Sequence, residues 1–325
     1  MHVSAANRGV DGCARSWRRA AAAVAGAVVL LAVSACSGAE TRPVPALPSS
    51  SPLPSLHSAS PASGVEKVLV IVEENRSVSD VGAHMPFLMS RARAYGTATK
   101  FYAISHPSLP NYLVLAGGST FGVADDADPA AHRLHGPSLF GQLVAAGRTA
   151  KTYAEEMPSN CALRNQGTYA VRHNPWTYFD DRAERAACNK FDVPSGSPNA
   201  GALLNDVTAG KLPTFGLLVP GVCNDGHDCS AARADDWLRS WLPIIMKGPE
   251  FTSRRLAIVI TWDEDDDHSG NRVPLMVIYP SLKGKQVTTR LDHYGLSASI
   301  ARTAGTSPLR RADKSADVLA AFGLS

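Results

Sequence analysis

Leu256-Ala257-Ile258-Val259-Ile260-Thr261-Trp262 runs straight into Asp263-Glu264-Asp265-Asp266-Asp267-His268. Far upstream, Lys67-Val68-Leu69-Val70-Ile71-Val72 runs into Glu73-Glu74-Asn75. Continuous β-branched runs of this length suit strands buried on both faces of a parallel sheet. In open α/β sheets, ligands bind beyond the carboxyl ends of such strands. The two acidic clusters are therefore expected in one cleft. Crowded carboxylates repel unless a cation lies between them, so the pair of runs points to a metal site.

Outward from these runs, strands and helices alternate. Residues 85–96 carry Phe87, Leu88 and Tyr95 on one helical face. Residues 109–116 follow a serine and stop at Gly117-Gly118, and 137–146 open with Pro137 and close at Gly147. Residues 151–154, 214–219 and 275–279 read as further strands, and 294–303 as a helix. Residues 234–246 form an amphipathic helix whose Trp237, Leu238, Trp241, Ile244 and Ile245 face the core. Residues 160–200 lack apolar periodicity and read as an insertion. The alternation predicts an α/β fold, a three-layer sandwich around a mainly parallel sheet.

Not all of the 325 residues belong to that domain. A basic start followed by an apolar stretch, together residues 1–35, has the form of a secretory signal and is short for a membrane span. It ends Val33-Ser34-Ala35-Cys36, and small residues before a cysteine resemble the lipobox of bacterial lipoproteins, which would make Cys36 the lipid-bearing first residue. Half of residues 37–64 are Ser or Pro, 14 of 28, too polar to bury a core, so residues 36–64 read as a lipidated tether. The catalytic domain is then 65–325. Beyond Cys13 and Cys36, four cysteines remain, and an exported chain favours disulfides: Cys161 with Cys188 and Cys223 with Cys229, each closing a local loop. The net charge of +3 comes with no basic run interleaved with aromatics, so no nucleic-acid partner is implied.

His106-Pro107-Ser108-Leu109-Pro110-Asn111-Tyr112 places a serine at a helix start, where free N–H groups suit a phosphate. The plain alternative is a serine that only caps the helix. Taken together, Val70-Ile71-Val72-Glu73-Glu74-Asn75-Arg76-Ser77, the His106–Tyr112 string and Thr261-Trp262-Asp263-Glu264 resemble the bacterial phosphoesterase family, over about 67–303 and in the same order. That family holds acid phosphatases and phospholipases C within the alkaline phosphatase-like superfamily, so the resemblance implies that fold. It implies metal ligation by Glu74, Asn75, Asp263 and Glu264, with Ser108 as nucleophile and metal contact. It also implies that Asn111 holds a phosphoryl oxygen. Asp-Glu stands where some members have Asp-Asp, which leaves metal choice open.

His106 is a candidate to bind phosphate or protonate the leaving group, and His293 resembles a late family histidine. Asp225 and His227, inside the Cys223–Cys229 loop, are candidates for ligation or substrate contact, and His173 matches a recurring family string. His84, His132, His135 and His268 are expected at the surface, and Asp265, Asp266 and Asp267 in a solvated loop. The expected activity is an exported, metal-dependent phosphomonoesterase of acid-phosphatase type, passing through a phosphoserine. A phospholipase C, a non-catalytic phosphate-binding lipoprotein and a sulfatase are the rivals, the last disfavoured by Tyr112 where sulfatases carry Arg. The cofactor is a divalent ion: carboxylates and an amide suit Mg, Ca or Mn, and histidines joining them would favour Zn or Fe. A phosphate ester is the expected partner, with a monomer held on the outer face of the membrane by lipid, or secreted.

Overall fold

The computed structural model describes residues 64–324. The signal, the Cys36 lipidation site and nearly all of the tether lie outside the described residues. Among those described, no helix is long and apolar enough to cross a membrane.

In chain order the strands are β1 (Lys67–Glu73), β2 (Gly96–Ala98), β3 (Phe101–Tyr102), β4 (Ala150–Ala154), β5 (Asp192–Pro194), β6 (Phe215–Val219), β7 (Leu256–Trp262), β8 (Leu275–Ile278), β9 (Lys285–Val287) and β10 (Leu291–Asp292). The helices are α1 (Val78–His84), α2 (Pro86–Ala94), α3 (Ser108–Gly117), α4 (Leu139–Ala145), α5 (Arg182–Phe191), α6 (Ala202–Thr208), α7 (Ala231–Lys247), α8 (Pro249–Thr252), α9 (His293–Thr303) and α10 (Val318–Ala321). Eight strands form one sheet in the order β5-β4-β6-β1-β7-β8-β2-β9. The five from β5 to β7 are mutually parallel, and β8 runs against both its neighbours. The two apolar runs that opened the reading are the central pair: β1 and β7 lie side by side from Lys67↔Leu256 to Glu73↔Trp262. Every residue of β7 is buried, as is all of β1 but Lys67, which explains their unbroken apolar character.

Helices cover both faces. α3, α4 and α9 pack together on one side, and α1 and α2 pack with α7 on the other. The layered α/β architecture is as expected. Local differences have local causes. The helix expected over 85–96 is α2, from Pro86 to Ala94, and a further helix not expected, α1, precedes it, the two meeting at Met85. The chain then turns into β2, where Gly96 lies under the Phe322 ring; an added Cβ there would stand 2.8 Å from Phe322 Cε1. The 160–200 insertion also contains regular structure: α5 and the edge strand β5, stapled by Cys161–Cys188. The second expected disulfide, Cys223–Cys229, is present as well. Gly118 ends α3 with φ +64, and a Cβ there would meet Leu309 O at 2.1 Å, so the glycine stop is required by packing.

Candidate active site

Three parallel strands deliver acids to one spot beyond their carboxyl ends. Glu74 follows β1, Asp225 follows β6, and Asp263 follows β7. The backbone locks them in register: Glu74 N donates to Asp225 O at 2.9 Å, and Asp263 N donates to Glu73 O at 3.1 Å. Asn75 takes the left-handed backbone, φ +52, which asparagine tolerates better than most residues. That turn brings its N–H to Asp263 Oδ1 at 3.3 Å.

Ser108 is the first residue of α3, with Pro107 as the cap, so its hydroxyl is not spent on capping. Its Oγ donates instead to Glu74 Oε2 at 3.2 Å, in a buried position. One turn further along α3, the Tyr112 hydroxyl donates to the other oxygen of Glu74. Leu109 N, beside the serine, is taken by Asp126 Oδ1 at 2.9 Å. A residue four places after Ser108 shares its helical face, so Tyr112 carried a signal that sequence reasoning passed over. Asp126 carried none.

His173 lies in a short 3₁₀ turn (Val171–His173), fully buried, with its ring stacked on Tyr112. Its Nε2 is 3.4 Å from Glu74 Oε2 and its Nδ1 is 3.3 Å from Asp225 Oδ2. Burial, then the charge of Arg172, hold its pKa well below the ordinary imidazole range, so the ring is neutral. A neutral ring has one N–H and one lone pair, so it cannot donate to both carboxylates. Neither ring nitrogen is hydrogen-bonded, nor is Asp225 Oδ2. Ligand atoms of Glu74, His173 and Asp225 all lie within 4.8 Å of one another.

The carboxyls feel the same crowding. Burial, then the charges of Asp263 and Asp225, raise the pKa of Glu74 well above the usual range. Burial likewise raises Asp225 and Asp263, and burial with Asp263 raises Glu264. Carboxyls forced together at the cost of their ionisation are what a cation would relieve. Asn75 Oδ1 and Asp263 Oδ2 are also buried without a hydrogen-bond partner. The donors present therefore fit a divalent ion: carboxylate oxygens, an amide oxygen and one imidazole nitrogen.

The other expected residues are spread around this centre. Glu264 Oε2 is 3.3 Å from His106 Nδ1 and 3.4 Å from Asn111 Nδ2. Asn111 is wholly buried: its Oδ1 accepts from Ile104 N and Ser105 N, and its Nδ2 donates to Ser105 O at 2.8 Å. It thus ties the loop before Ser108 to Glu264. His106 stands at the rim, its ring 3.1 Å from Asp265 Oδ1 and 3.3 Å from Asp267 Oδ1. Asp265 departs from its expected solvated state. It is buried, and it accepts from Asp267 N, Ser269 N and Asn271 N, organising the loop after Glu264. Asp267 and His268 are exposed as expected.

His293 is buried behind Asp263, with Nε2 2.8 Å from Asp263 O and its pKa pushed down to about 4 by burial. That contact ties it to the Asp263 loop, and its Nδ1 is buried without a hydrogen-bond partner. His227 lies at the edge, between Asp228 Oδ1 at 2.6 Å and Arg172 Nη2 at 3.1 Å. Arg172, not foreseen, also faces Asp126 at 3.8 Å. Arg76, next to Asn75, donates to Gly226 O and Cys229 O at 2.7 and 2.8 Å, clamping the disulfide loop that carries Asp225.

Comparison with known proteins identifies the family of the chain. A model of the Phosphoesterase family matches residues 81–305. The chain is 30% identical over 246 residues to a phosphatidylinositol-3-phosphatase of Mycobacterium tuberculosis, covering 73% of this chain and 76% of that protein. It is 30% identical over 237 residues to an acid phosphatase of Aspergillus fumigatus, covering 68% of this chain and 51% of that one. The chain thus spans about half the length of that fungal relative. Among solved structures, a protein in the alkaline phosphatase superfamily from Vibrio parahaemolyticus aligns with TM-score 0.53 at 12% identity, covering 77% of this chain and 70% of that one. A putative sulfatase from Bacteroides thetaiotaomicron aligns with TM-score 0.55 at 12% identity, covering 80% and 74%. At these identities the two likenesses speak for the fold alone.

Proposed function

The chain belongs to the phosphoesterase family and is a hydrolase of phosphoric ester bonds, and from that premise we propose a metal-dependent phosphomonoesterase that uses Ser108 as its nucleophile. The observation that carries this reading is the Ser108 hydroxyl, free of capping duty and donating to Glu74 at the head of α3. Glu74, Asn75 and Asp263 would hold the ion, with Glu264 at its margin and His173 and Asp225 beside Glu74. When bound, a divalent ion supplies positive charge that favours the ionised serine and offsets charge on the phosphoryl oxygens.

The residues of the chain do the rest. Glu74 Oε2 is placed to take the Ser108 proton as Oγ bonds to phosphorus. Tyr112 holds the second oxygen of Glu74, fixing the plane of the carboxyl. The P–O bond to the alcohol breaks, and its electron pair leaves with the alkoxide. His106, at the rim and within reach of three carboxylates, is positioned to give that oxygen a proton. Water then hydrolyses the phosphoserine, returning Ser108 and releasing phosphate. Phosphatases rather than phospholipases head the named relatives, which favours monoesters as substrate.

We place the enzyme outside the cytoplasm, exported by residues 1–35 and held by lipid on Cys36. Two disulfides support an oxidising compartment. The test is hydrolysis of p-nitrophenyl phosphate by wild type and Ser108→Ala, each with and without a chelator. The expected result is a loss of at least about 10³-fold in kcat on removing either the hydroxyl or the ion, in line with the size of nucleophile and metal effects. Activity of Ser108→Ala within tenfold of wild type would sink the reading.

A further inference from the structure

At the start of α9 lies a pocket of about 330 Å³ lined by Arg290, Asp292, Arg311, Lys314, Ser315 and Ala316. Glu74, Asn75, Ser108 and Asp263 take no part in that lining, so the pocket is separate from the candidate active site.

Two segments gather its cations. Arg290 precedes β10, which pairs with β3 so that Asp292 stands opposite Tyr102. A 3₁₀ turn, Arg310–Lys314, packs against α9. Side chains three residues apart eclipse in such a turn, so Arg311 and Lys314 leave it on one side, while Asp313 stays out of the lining. Both arginines are held by rings. The Arg290 guanidinium lies 3.7 Å from the centre of Tyr102, and that of Arg311 4.5 Å from the centre of Tyr294. Stacking fixes the plane of a guanidinium and leaves its N–H edge free to bind an oxyanion.

Three cations thus face one acid, a net charge of +2 in the lining. That acid is already committed: Asp292 Oδ1 accepts from Gly295 N at 3.0 Å as the cap of α9. Asp317, just beyond Ala316, accepts from Ser299 Oγ at 2.6 Å and faces Arg302 at 3.5 Å. Among the described residues, Arg290, Arg311 and Lys314 make no ion pair and donate no side-chain hydrogen bond. Like charges drawn to one place repel, and a counter-ion of several oxygens relieves all three at once.

We propose that this pocket is a second phosphate-binding site, apart from the catalytic centre. Two guanidinium forks and an ammonium suit the oxygens of a phosphate group, and the positive end of α9 adds to their attraction. The group has two sources, the free ion that hydrolysis releases and the head group of an anionic lipid. The site does not depend on which residue is the nucleophile.

Equilibrium dialysis with labelled inorganic phosphate, at about 20 mM salt where screening is weak, counts the ions bound by the full-length protein. The pocket variant is Arg290→Gln/Arg311→Gln/Lys314→Gln. The control is Lys190→Gln/Lys211→Gln/Lys247→Gln, which loses three exposed cations elsewhere. The catalytic centre is the same in all, so phosphate bound there cancels in the difference. Wild type and control should each hold one phosphate per chain more than the pocket variant. A single Arg290→Gln, outside the 3₁₀ turn, should weaken that phosphate about tenfold, the size of one charged hydrogen-bonding contact. Thermal melts verify the fold of each variant. Equal counts in wild type and pocket variant, or equal losses in both triple variants, overturn the site and leave the phosphatase reading standing. Competition with soluble dihexanoylphosphatidylglycerol identifies the source: displacement at lower concentration than unlabelled phosphate names a lipid head group, and displacement only at higher concentration names the free ion. Both results support the site.

Discussion

Relative to wild type, Asp192→Asn should gain stability as the medium becomes more alkaline. Asp192 opens β5 and is completely buried. Both its carboxylate oxygens accept from Asn174 Nδ2, at 3.0 and 2.9 Å, and its carbonyl accepts from Cys161 N at 3.1 Å. Asn174 follows His173, so this pair pins the turn that sets His173 against Glu74. Burial lifts the Asp192 pKa from 3.8 to about 7, against the smaller pull of Asn174 and Arg185. A carboxyl raised in the folded state favours folding most below its unfolded pKa, and that advantage disappears as pH climbs through the folded pKa. The whole span is about 4 kcal/mol, at ~1.4 kcal/mol per pH unit. Roughly 1.5 of it is already gone at pH 5, so about 3 kcal/mol should vanish between pH 5 and pH 8.

An amide at this position cannot ionise, and it still offers an oxygen to Asn174. The stability of Asp192→Asn relative to wild type should therefore improve by about 3 kcal/mol over that interval. For a domain of this size the gap in melting temperature would widen by about 6–10 °C. Urea unfolding at the two pH values measures it, with thermal melts as a second probe. Because every other titrating group is shared by the two proteins, their curves cancel in the difference. Parallel pH profiles would refute the claim that burial raises the Asp192 carboxyl in the folded protein.

Three further outcomes follow from the same structure. Opening Cys161–Cys188 by double Ser substitution should cost about 3.5 kcal/mol, and opening Cys223–Cys229 about 2 kcal/mol, because their separations are 27 and 6 residues; the smaller loop carries Asp225, so its loss should lower kcat/KM by tenfold or more while the larger loop chiefly lowers the melting temperature. Glu184→Ala should destabilise by about 3 kcal/mol or more in denaturant titrations, since Ser138 N, Ser138 Oγ and Trp176 Nε1 all donate to this buried carboxyl. Chelation should lower the melting temperature by about 5–10 °C at neutral pH, the ~2.7 kcal/mol expected of an ion present at a hundred times its Kd, and adding metal back should restore it.

What could be read from the sequence was whatever the polymer states locally. β1 and β7 announce themselves because both faces of a central parallel strand are buried, and the acids that follow them break that pattern abruptly. Ser108 was legible through a short string, although its helix position was not: Pro107 takes the cap, which turns a structural hydroxyl into one able to face Glu74. His173, Arg172 and Asp225 were harder, and for a common reason. They sit in segments with no period, a 3₁₀ turn and a disulfide loop, whose placement is fixed by distant partners such as Asp192 and Arg76. Asp265 shows the same limit in reverse: an acid in a polar run looks solvated until three backbone N–H groups of its own loop close on it. The site thus divides by physical origin. Residues at strand ends are dictated by the sheet and can be read from one stretch of chain. Residues that close the cleft depend on long-range clamps, and it is those clamps, more than the acids, that determine whether Glu74 has His173 and Asp225 beside it.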